Sequence, residues 1–226
     1  MNFSLRKTEL HHPILVGCAT EVKFLGAYLD PGLTWEGHIV SISKVLSSYL
    51  FLIRNLVKIT SRNTVLTAYY GYFHSYLLYA VLTWGHSCHT KKLFGLQRKC
   101  IRIISGLHYR ADCRQNFKEL RILTLPSIYI LQCLLFVKQN LHLYQTCKSR
   151  HDYPTRKNEN LILDFRRLNR TRNGTRYLGI KFFNALPLTI RNLDVIPFKN
   201  KIKEYLITNA FYNFEEYFVS DFNSMQ

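Results

Sequence analysis

Acidic residues are scarce in this chain of 226 residues, which contains 14 Asp and Glu against 31 Lys and Arg. The resulting formal net charge of +17 indicates what kind of partner the protein surface attracts, and it does not indicate the fold. Glycine and proline are also few, at 10 and 6 residues, which excludes collagen-like and linker-type sequences. Because 47% of the residues are hydrophobic, wholesale disorder is excluded too, and we expect a globular protein with its own core.

Paired cysteine motifs and a secretory leader are also missing. The six cysteines are far apart and form no CxxC pair, and the first residues are polar and charged. We therefore expect reduced, mostly buried thiols in an intracellular protein, either nuclear or cytoplasmic. The run His86-Ser87-Cys88-His89 has no second ligand pair at zinc-finger spacing, so we predict no metal site.

The compact motifs of self-contained enzymes do not occur in the sequence. It has no GxxxxGK[ST] phosphate loop, no GxSxG nucleophile elbow and no HExxH zinc motif. The acids mostly stand alone, and the pair Glu215-Glu216 falls in a tail that we expect to be frayed. The two residues of a cysteine–histidine nucleophile pair can be far apart in the sequence and meet only in the folded chain, so the sequence leaves this alternative open. We predict no catalytic residue in the isolated chain.

Hydrophobic periodicity predicts a mainly helical chain. Residues 21–30 alternate in part and end at a Pro-Gly turn signal, which predicts one strand followed by a turn. Helices are predicted over 36–59, 64–84, 91–105, 112–120, 126–144, 177–186 and 198–209. We expect Ser61 and Thr90 to cap the second and third helices, Gly106 to end the third in a left-handed conformation, and Pro126 to be the first helical residue of the fifth.

The stretch 65–85 carries no formal charge and is long enough to cross a bilayer. Five tyrosines are spread through this region, however, and tyrosine prefers the membrane interface to the hydrocarbon. We therefore favour a buried core helix and predict no membrane association, with a membrane span as the alternative. Helical spacing predicts one buried face made of Val65, Leu66, Tyr69, Tyr72, Phe73, Tyr76, Leu77 and Ala80.

Basic residues are concentrated in two places. The exposed face of the third predicted helix carries Lys91, Lys92, Arg98, Lys99 and Arg102. The segment 148–176 loses apolar periodicity and includes Arg166, Arg167, Arg170, Arg172 and Arg176. Interleaved tyrosine, phenylalanine and histidine rings can stack on bases while the cations contact phosphates, so we predict a nucleic-acid backbone surface. The alternatives are a merely solvated helix face and an anionic lipid surface.

Seven stretches also follow one another in a recognisable order. They are 22–30 (VKFLGAYLD), 69–75 (YYGYFHS), 82–85 (LTWG), 96–104 (LQRKCIRII), 117–126 (FKELRILTLP), 153–156 (YPTR) and 183–187 (FNALP). In this order they resemble the reverse transcriptases of non-LTR retrotransposons, and the jockey-like group is the nearest match. Each stretch is weakly specific, whereas the ordered set is much more specific.

The resemblance implies an RNA-directed DNA polymerase, a family whose palm domain binds two Mg²⁺ ions through aspartates, usually an adjacent pair. No Asp-Asp pair occurs in this chain, so the chain alone is predicted to be inactive and to hold no Mg²⁺. Residues 2–8 (NFSLRKT) resemble a family stretch that lies shortly after these aspartates, and by that match Lys7 would approach the phosphates of an incoming nucleotide. Phe24, Leu25 and Gly26 would form a primer-grip-like hairpin, with ordinary strand packing as the alternative for Phe24 and Leu25.

The resemblance also divides the chain. It implies a palm remnant over 1–35, a helical thumb over 36–106, a helical connection over 107–147, and a basic linker with C-terminal helices over 148–226. We thus predict a mainly α fold with a small β-hairpin whose edge and apolar surface are exposed. The predicted function is binding of an RNA/DNA template–primer duplex by a polymerase fragment, and the alternative is a co-opted, non-enzymatic nucleic-acid-binding protein.

Overall fold

The computed structural model describes residues 21–149, 158–163 and 174–222. Within these ranges the chain is mainly helical with one small two-stranded antiparallel sheet, which confirms the predicted fold class at that level. The strands are β1 Val22–Phe24 and β2 Ala27–Leu29. The helices are α1 Glu36–Ile59, α2 Arg62–Ala68, α3 Ser75–Leu78, α4 Val81–Trp84, α5 Thr90–Ile104, α6 Arg114–Glu119, α7 Leu125–Gln139, α8 Thr175–Ala185, α9 Leu188–Arg191, α10 Val195–Asn209 and α11 Phe214–Val219. Lys7 and the arginines Arg166, Arg167, Arg170 and Arg172 lie outside the described residues.

The segment that the alternation pattern predicted as one strand is a hairpin, which confirms the small β-hairpin that the resemblance implied. Lys23 pairs with Tyr28 across β1 and β2, and the turn between the strands is made by Leu25 and Gly26. Both turn residues have positive φ, 46° and 81°, which is the backbone of a tight two-residue hairpin turn. Gly26 adopts this conformation freely, and that is why the chain reverses here rather than continuing as one strand.

The first helix, α1, has the predicted boundaries because its buried residues repeat at helical spacing. Its start is fixed by Asp30, whose carboxylate accepts hydrogen bonds from the backbone N–H of Thr34 at 2.9 Å and of Trp35 at 3.0 Å. The bond from the Thr34 N–H is the main cause that lowers the pKa of Asp30. The carboxylate therefore stays ionised and holds the turn that leads from the hairpin into α1.

The helix predicted over 64–84 is wrong in its second half. A π-helical segment, Tyr69–His74, joins α2 to α3, the helix ends before Tyr79, and Ala80 is left-handed with φ 49°. Residues 65–85 therefore do not form one uninterrupted helix. Buried residues recur at every fourth position, at Val65, Tyr69, Phe73, Leu77 and Val81. This spacing suits a helix with a widened turn better than a regular α-helix of 3.6 residues per turn.

Of the four expected helix ends, those at Ser61 and Gly106 are confirmed, whereas those at Thr90 and Pro126 are wrong. The Ser61 hydroxyl accepts from the Thr64 N–H at 3.4 Å at the start of α2. Gly106, with φ 66°, ends α5, and the Leu107 N–H donates to the Arg102 carbonyl at 2.9 Å, as expected for this type of helix end. Thr90 is the first residue of α5 rather than its cap, because its hydroxyl donates backwards to the Ser87 carbonyl.

Helix α7 is buried over most of its length and packs against α4, α8 and α10. Its cap is Thr124, whose hydroxyl accepts from the Ser127 N–H at 3.3 Å, so Pro126 is the second helical residue and not the first. The helix ends at Gln139, five residues before the predicted end, and a short 3-10 turn, Leu141–Leu143, follows it.

The C-terminal segment is ordered where it is described, so the expected frayed tail is wrong for Glu216. Helix α11 places Tyr217 in the core, and its hydroxyl donates to the Phe182 carbonyl of α8 at 3.2 Å. Glu216 forms a bidentate ion pair with Arg114 of α6 at 3.1 Å. Buried side chains form one cluster from Trp35 to Tyr217, which ties this last helix to the rest.

Helix α1 has the length and apolar composition of a membrane-crossing helix, and it is the one described helix that does. The core helix of a water-soluble protein meets the same criteria, so this finding is weak evidence for a membrane span. Leu46, Ile39 and Ile53 of α1 are fully buried in the core cluster. Absence of membrane association therefore stays a prediction.

Two glycines are expected to respond in opposite ways to substitution by alanine. A Cβ on Gly85 would lie 2.3 Å from the Tyr129 ring and 2.6 Å from the Val81 carbonyl, whereas a Cβ on Gly95 would meet nothing within 4 Å. Gly85→Ala should therefore lower the free energy of unfolding by about 2 kcal/mol through overpacking. Gly95→Ala should raise it by about 0.5–1 kcal/mol through helix propensity. Urea denaturation of both variants measures the difference, and shifts of the same sign would contradict the described packing.

Candidate nucleic-acid interface

Helix α5 has one buried face and one basic face. It packs mainly against α1, and its sequence contains no acidic residue. The basic face carries the exposed side chains of Lys91, Lys92 and Lys99. The buried face consists of Leu93, Phe94, Gln97, Cys100, Ile101 and Ile104. The apolar face fixes the rotation of the helix and thereby the direction in which the lysines point.

A single buried amide fixes the position of α5. Gln97 is fully buried, and its Nε2 donates to the Tyr69 hydroxyl and to the Leu123 carbonyl, both at 2.9 Å. Its Oε1 accepts from the Leu125 N–H at 2.8 Å. Burial raises the pKa of Tyr69 well above its usual value, so this hydroxyl stays protonated. All three partners belong to other elements, and the lysines of α5 are held relative to the whole core.

The three lysines of the basic face are free to contact an outside anion. The ion pairs in the part of the chain that the structure describes are Arg114–Glu216 and Arg121–Glu204, and neither involves α5. Lys91, Lys92 and Lys99 therefore have no acidic partner among the described residues. Cations of this kind are the groups that neutralise phosphates in nucleic-acid complexes.

The two arginines of the predicted stripe are half-buried instead of fully exposed. The guanidinium of Arg98 lies over the Phe94 ring, 5.1 Å from its centroid, and 5.8 Å from the Tyr212 centroid. The Nε of Arg102 donates to the Ala111 carbonyl at 2.7 Å. Since both side chains also connect α5 to neighbouring segments, the exposed charge of the face comes mainly from the lysines.

Gly95 lies between the lysines on the same helix face. It follows Lys91 by four residues and Lys92 by three, and it precedes Lys99 by four. Residues at these spacings are neighbours on a helix surface. Because Gly95 has no side chain, a sugar–phosphate strand can approach the helix backbone between the three ammonium groups.

Phenol rings form a second candidate surface on α1, the π-helical segment and α3. The Tyr49 ring lies 5.3 Å from that of Tyr72 and 5.6 Å from that of Tyr76. Tyr72 is 50% exposed and Tyr76 is 39% exposed, so their assignment to the buried face is wrong. The π-helical segment rotates these positions outward, and the four-residue spacing of the buried positions was the signal in the sequence. Exposed aromatic rings at such a surface can stack on unpaired bases.

The hairpin residues that the resemblance singles out are displayed at the surface. Phe24 is 61% exposed and Leu25 is 74% exposed, which argues against ordinary strand packing for both. The Tyr79 hydroxyl donates to the Leu25 carbonyl and ties the turn to the end of α3. The role of these residues as a primer grip stays a prediction.

The structure also describes two other candidates from the sequence, the cluster at 86–89 and Arg176. In the described ranges no group of three or more His, Cys, Asp or Glu side chains is placed to hold a metal ion, and this includes the cluster at 86–89. Arg176 is exposed and lies 5.6 Å from the Tyr144 ring centroid, so one cation of the C-terminal basic segment is described at the surface.

Truncation of the Gln97 side chain should destabilise the fold. Gln97→Ala would leave the Leu125 N–H, the Leu123 carbonyl and the Tyr69 hydroxyl buried without these partners, and we expect the free energy of unfolding to fall by about 3 kcal/mol. Gln115→Ala on α6, an exposed position, serves as the control and should change it by less than about 0.5 kcal/mol. Chemical denaturation measures both values. A small decrease in the free energy of unfolding for Gln97→Ala would show that the hydrogen bonds of this amide do not hold α5 in place.

Comparison with known proteins leaves the chain without an assigned family. No protein-family model matches it, and neither a curated protein nor a solved structure matches it. The resemblance to retrotransposon reverse transcriptases therefore rests on the sequence motifs alone.

Proposed function

We propose that this chain binds a nucleic-acid duplex through its sugar–phosphate backbone, with Lys91, Lys92 and Lys99 of α5 as principal contacts. The observation that carries the proposal is that three exposed lysines, which have no acidic partner among the described residues, share one acid-free helix face around Gly95. Binding of this type is independent of sequence, because phosphate contacts set position and register but do not read bases.

The charge of the whole chain supports the same proposal. A net charge of +17 attracts polyanions over distances longer than a single contact and raises their local concentration. Each phosphate neutralised releases counterions, so three lysine contacts should contribute about −2.7 to the slope of log K against log salt. We assign Arg166, Arg167, Arg170, Arg172 and Arg176 to a second set of backbone contacts, on the basis of their sequence alone.

The motif order suggests which duplex is bound. By resemblance, the chain corresponds to the end of the palm, the thumb and the C-terminal region of a non-LTR retrotransposon reverse transcriptase, and its partner is an RNA/DNA template–primer. A helical segment presenting cations to a duplex backbone suits a thumb. The absence of an Asp-Asp pair argues that the chain alone performs no synthesis.

A co-opted, non-enzymatic nucleic-acid-binding protein is the second candidate. One continuous buried cluster from Trp35 to Tyr217 favours it, since a binding module needs a core of its own. The two candidates share the same binding surface and differ in genomic context. A co-opted gene should keep an open reading frame under its own promoter, whereas a relic lies inside a decaying element.

Charge reversal on α5 tests the binding surface. The triple variant Lys91→Glu, Lys92→Glu, Lys99→Glu should weaken duplex binding and reduce the salt slope by about 3. Fluorescence anisotropy with a labelled RNA/DNA duplex at several salt concentrations measures both quantities. Lys199→Glu, Lys201→Glu, Lys203→Glu on α10 is the matched control, because it changes the net charge equally at three exposed positions. Equal losses in both variants would mean that only the net charge matters.

A primer-extension assay tests the expected lack of synthesis. The purified chain is incubated with an annealed template–primer, Mg²⁺ and all four deoxynucleotides, and we expect no extension because no paired aspartates are present to hold the metal ions. An intact reverse transcriptase is the positive control for the substrate. Extension by this chain above a no-protein background would overturn the expectation.

A further inference from the structure

A cavity of about 280 Å³ lies where the ends of α1 and α5 meet the start of α2 and helix α6. This volume is just below the range of about 300–1,000 Å³ that drug-sized ligands occupy, so the cavity suits a small metabolite. The three lysines of the α5 face do not line it. The cavity is therefore separate from the proposed duplex contacts, and a ligand bound there would occupy a site of its own.

Three polar side chains of the lining have unused hydrogen-bonding groups. Arg62 begins α2, whereas Asn116 and Glu119 belong to α6. The ion pairs between described residues involve neither Arg62 nor Glu119, although both line the same cavity. The side-chain amide of Asn116 likewise has no hydrogen-bond partner among the described residues. A guanidinium, an amide and a carboxylate are thus available to one ligand.

The two opposite charges disfavour a ligand that carries charge of a single sign. An anion attracted by the Arg62 guanidinium is repelled by the Glu119 carboxylate, and a cation meets the reverse situation. A ligand with one anionic and one cationic group is attracted by both residues. A carboxylate group in particular matches the planar fork of N–H donors on a guanidinium, and the Asn116 amide can donate and accept beside it.

The carboxylate of Glu119 is unusual in this part of the chain. No Asp or Glu occurs from residue 37 to residue 111, so α2, α5 and the end of α1 contain no acid. Among the described residues that line the cavity, Glu119 is the one acid. In a chain with a net charge of +17, a cationic group of a ligand has few places to bind, and this carboxylate provides one.

An apolar wall completes the cavity. Val65 is 2% exposed and Ile104 is 9% exposed, and both belong to the core cluster. Val57 is half-buried and packs against the same cluster. A small apolar group placed against these three side chains would leave water, which is favourable in proportion to the apolar area buried.

We propose that this cavity binds a free α-amino acid with a small branched apolar side chain. Its carboxylate contacts Arg62, its ammonium group contacts Glu119, and its side chain packs against Val57, Val65 and Ile104. Such a molecule carries both charges and the apolar group that the lining matches. The end of a peptide chain carries only one of the two charges, so the site distinguishes a free amino acid from a peptide terminus.

A ligand-detected NMR titration of the full chain with L-leucine tests the proposal. L-Leucine should bind saturably. N-acetyl-leucine lacks the ammonium group and leucinamide lacks the carboxylate, so each should bind about tenfold more weakly through the loss of one charge-assisted contact. Glycine, which lacks the apolar side chain, should also bind more weakly. Absence of saturable L-leucine binding, or equal affinity for the three leucine compounds, would overturn the proposal.

Two variants assign the charged contacts. Arg62→Gln should weaken L-leucine binding about tenfold and should not weaken binding of leucinamide, which has no carboxylate to lose. Glu119→Gln should weaken L-leucine binding about tenfold and should not weaken binding of N-acetyl-leucine, which has no ammonium group. Both variants should keep the melting temperature of the unmodified chain, because the two side chains are exposed and form no ion pair with a described residue.

Matched controls separate the local contacts from the net charge. Arg54→Gln on α1 and Glu215→Gln on α11 make the same changes of charge at exposed positions outside the lining. Both should leave the affinity for L-leucine unchanged. Equal losses of affinity in the two variants and in their controls would mean that the cavity does not hold the ligand, and the proposal would be wrong.

Discussion

The three hydrogen bonds of Gln97 are the constraint on which the candidate interface depends. A fully buried amide is stable only when its donors and acceptor are used, and here the partners are Tyr69, the Leu123 carbonyl and the Leu125 N–H. The amide therefore joins α5 to the π-helical segment and to the start of α7. Apolar contacts alone would allow α5 to rotate or slide, whereas the directional bonds hold one arrangement. The lysine face and the phenol surface are consequently parts of one rigid framework.

The C-terminal segment completes this framework from the other side. The Tyr212 ring lies 5.0 Å from that of Phe94 on α5, and the Arg114 guanidinium lies 4.2 Å from the Tyr212 centroid. The bidentate bond between Arg114 and Glu216 fixes that guanidinium. As a result Arg98 is covered and partly withdrawn from the surface, while the lysines stay exposed. Residues more than a hundred positions apart thus decide which cations of α5 face the solvent.

The sequence predicted those features that depend on local patterns. The buried positions of α1 recur at helical spacing, and Ser61 and Gly106 carry end signals that depend on neighbouring backbone alone. Features decided by distant contacts were not predictable in the same way. Thr90 and Thr124 both lie at the start of a helix, and their surroundings decide that Thr124 caps its helix whereas Thr90 does not. The partial exposure of Arg98 also depends on Tyr212, which is far away in the sequence.

The π-helical segment has a consequence for chains that differ from this one in length. A π-helical turn contains one residue more than an α-helical turn, so removal of a single residue within Tyr69–His74 restores regular geometry. Removal of that extra residue leaves the faces of the following helix unchanged, because the wider turn had already absorbed the rotation of about 100° that one residue adds. Leu77 would stay in the core and Tyr76 would stay beside Tyr49. The same deletion in a regular helix such as α5 would instead rotate every later residue by about 100° relative to the earlier ones. A one-residue difference in length is therefore tolerated at this point of the chain and not within its regular helices.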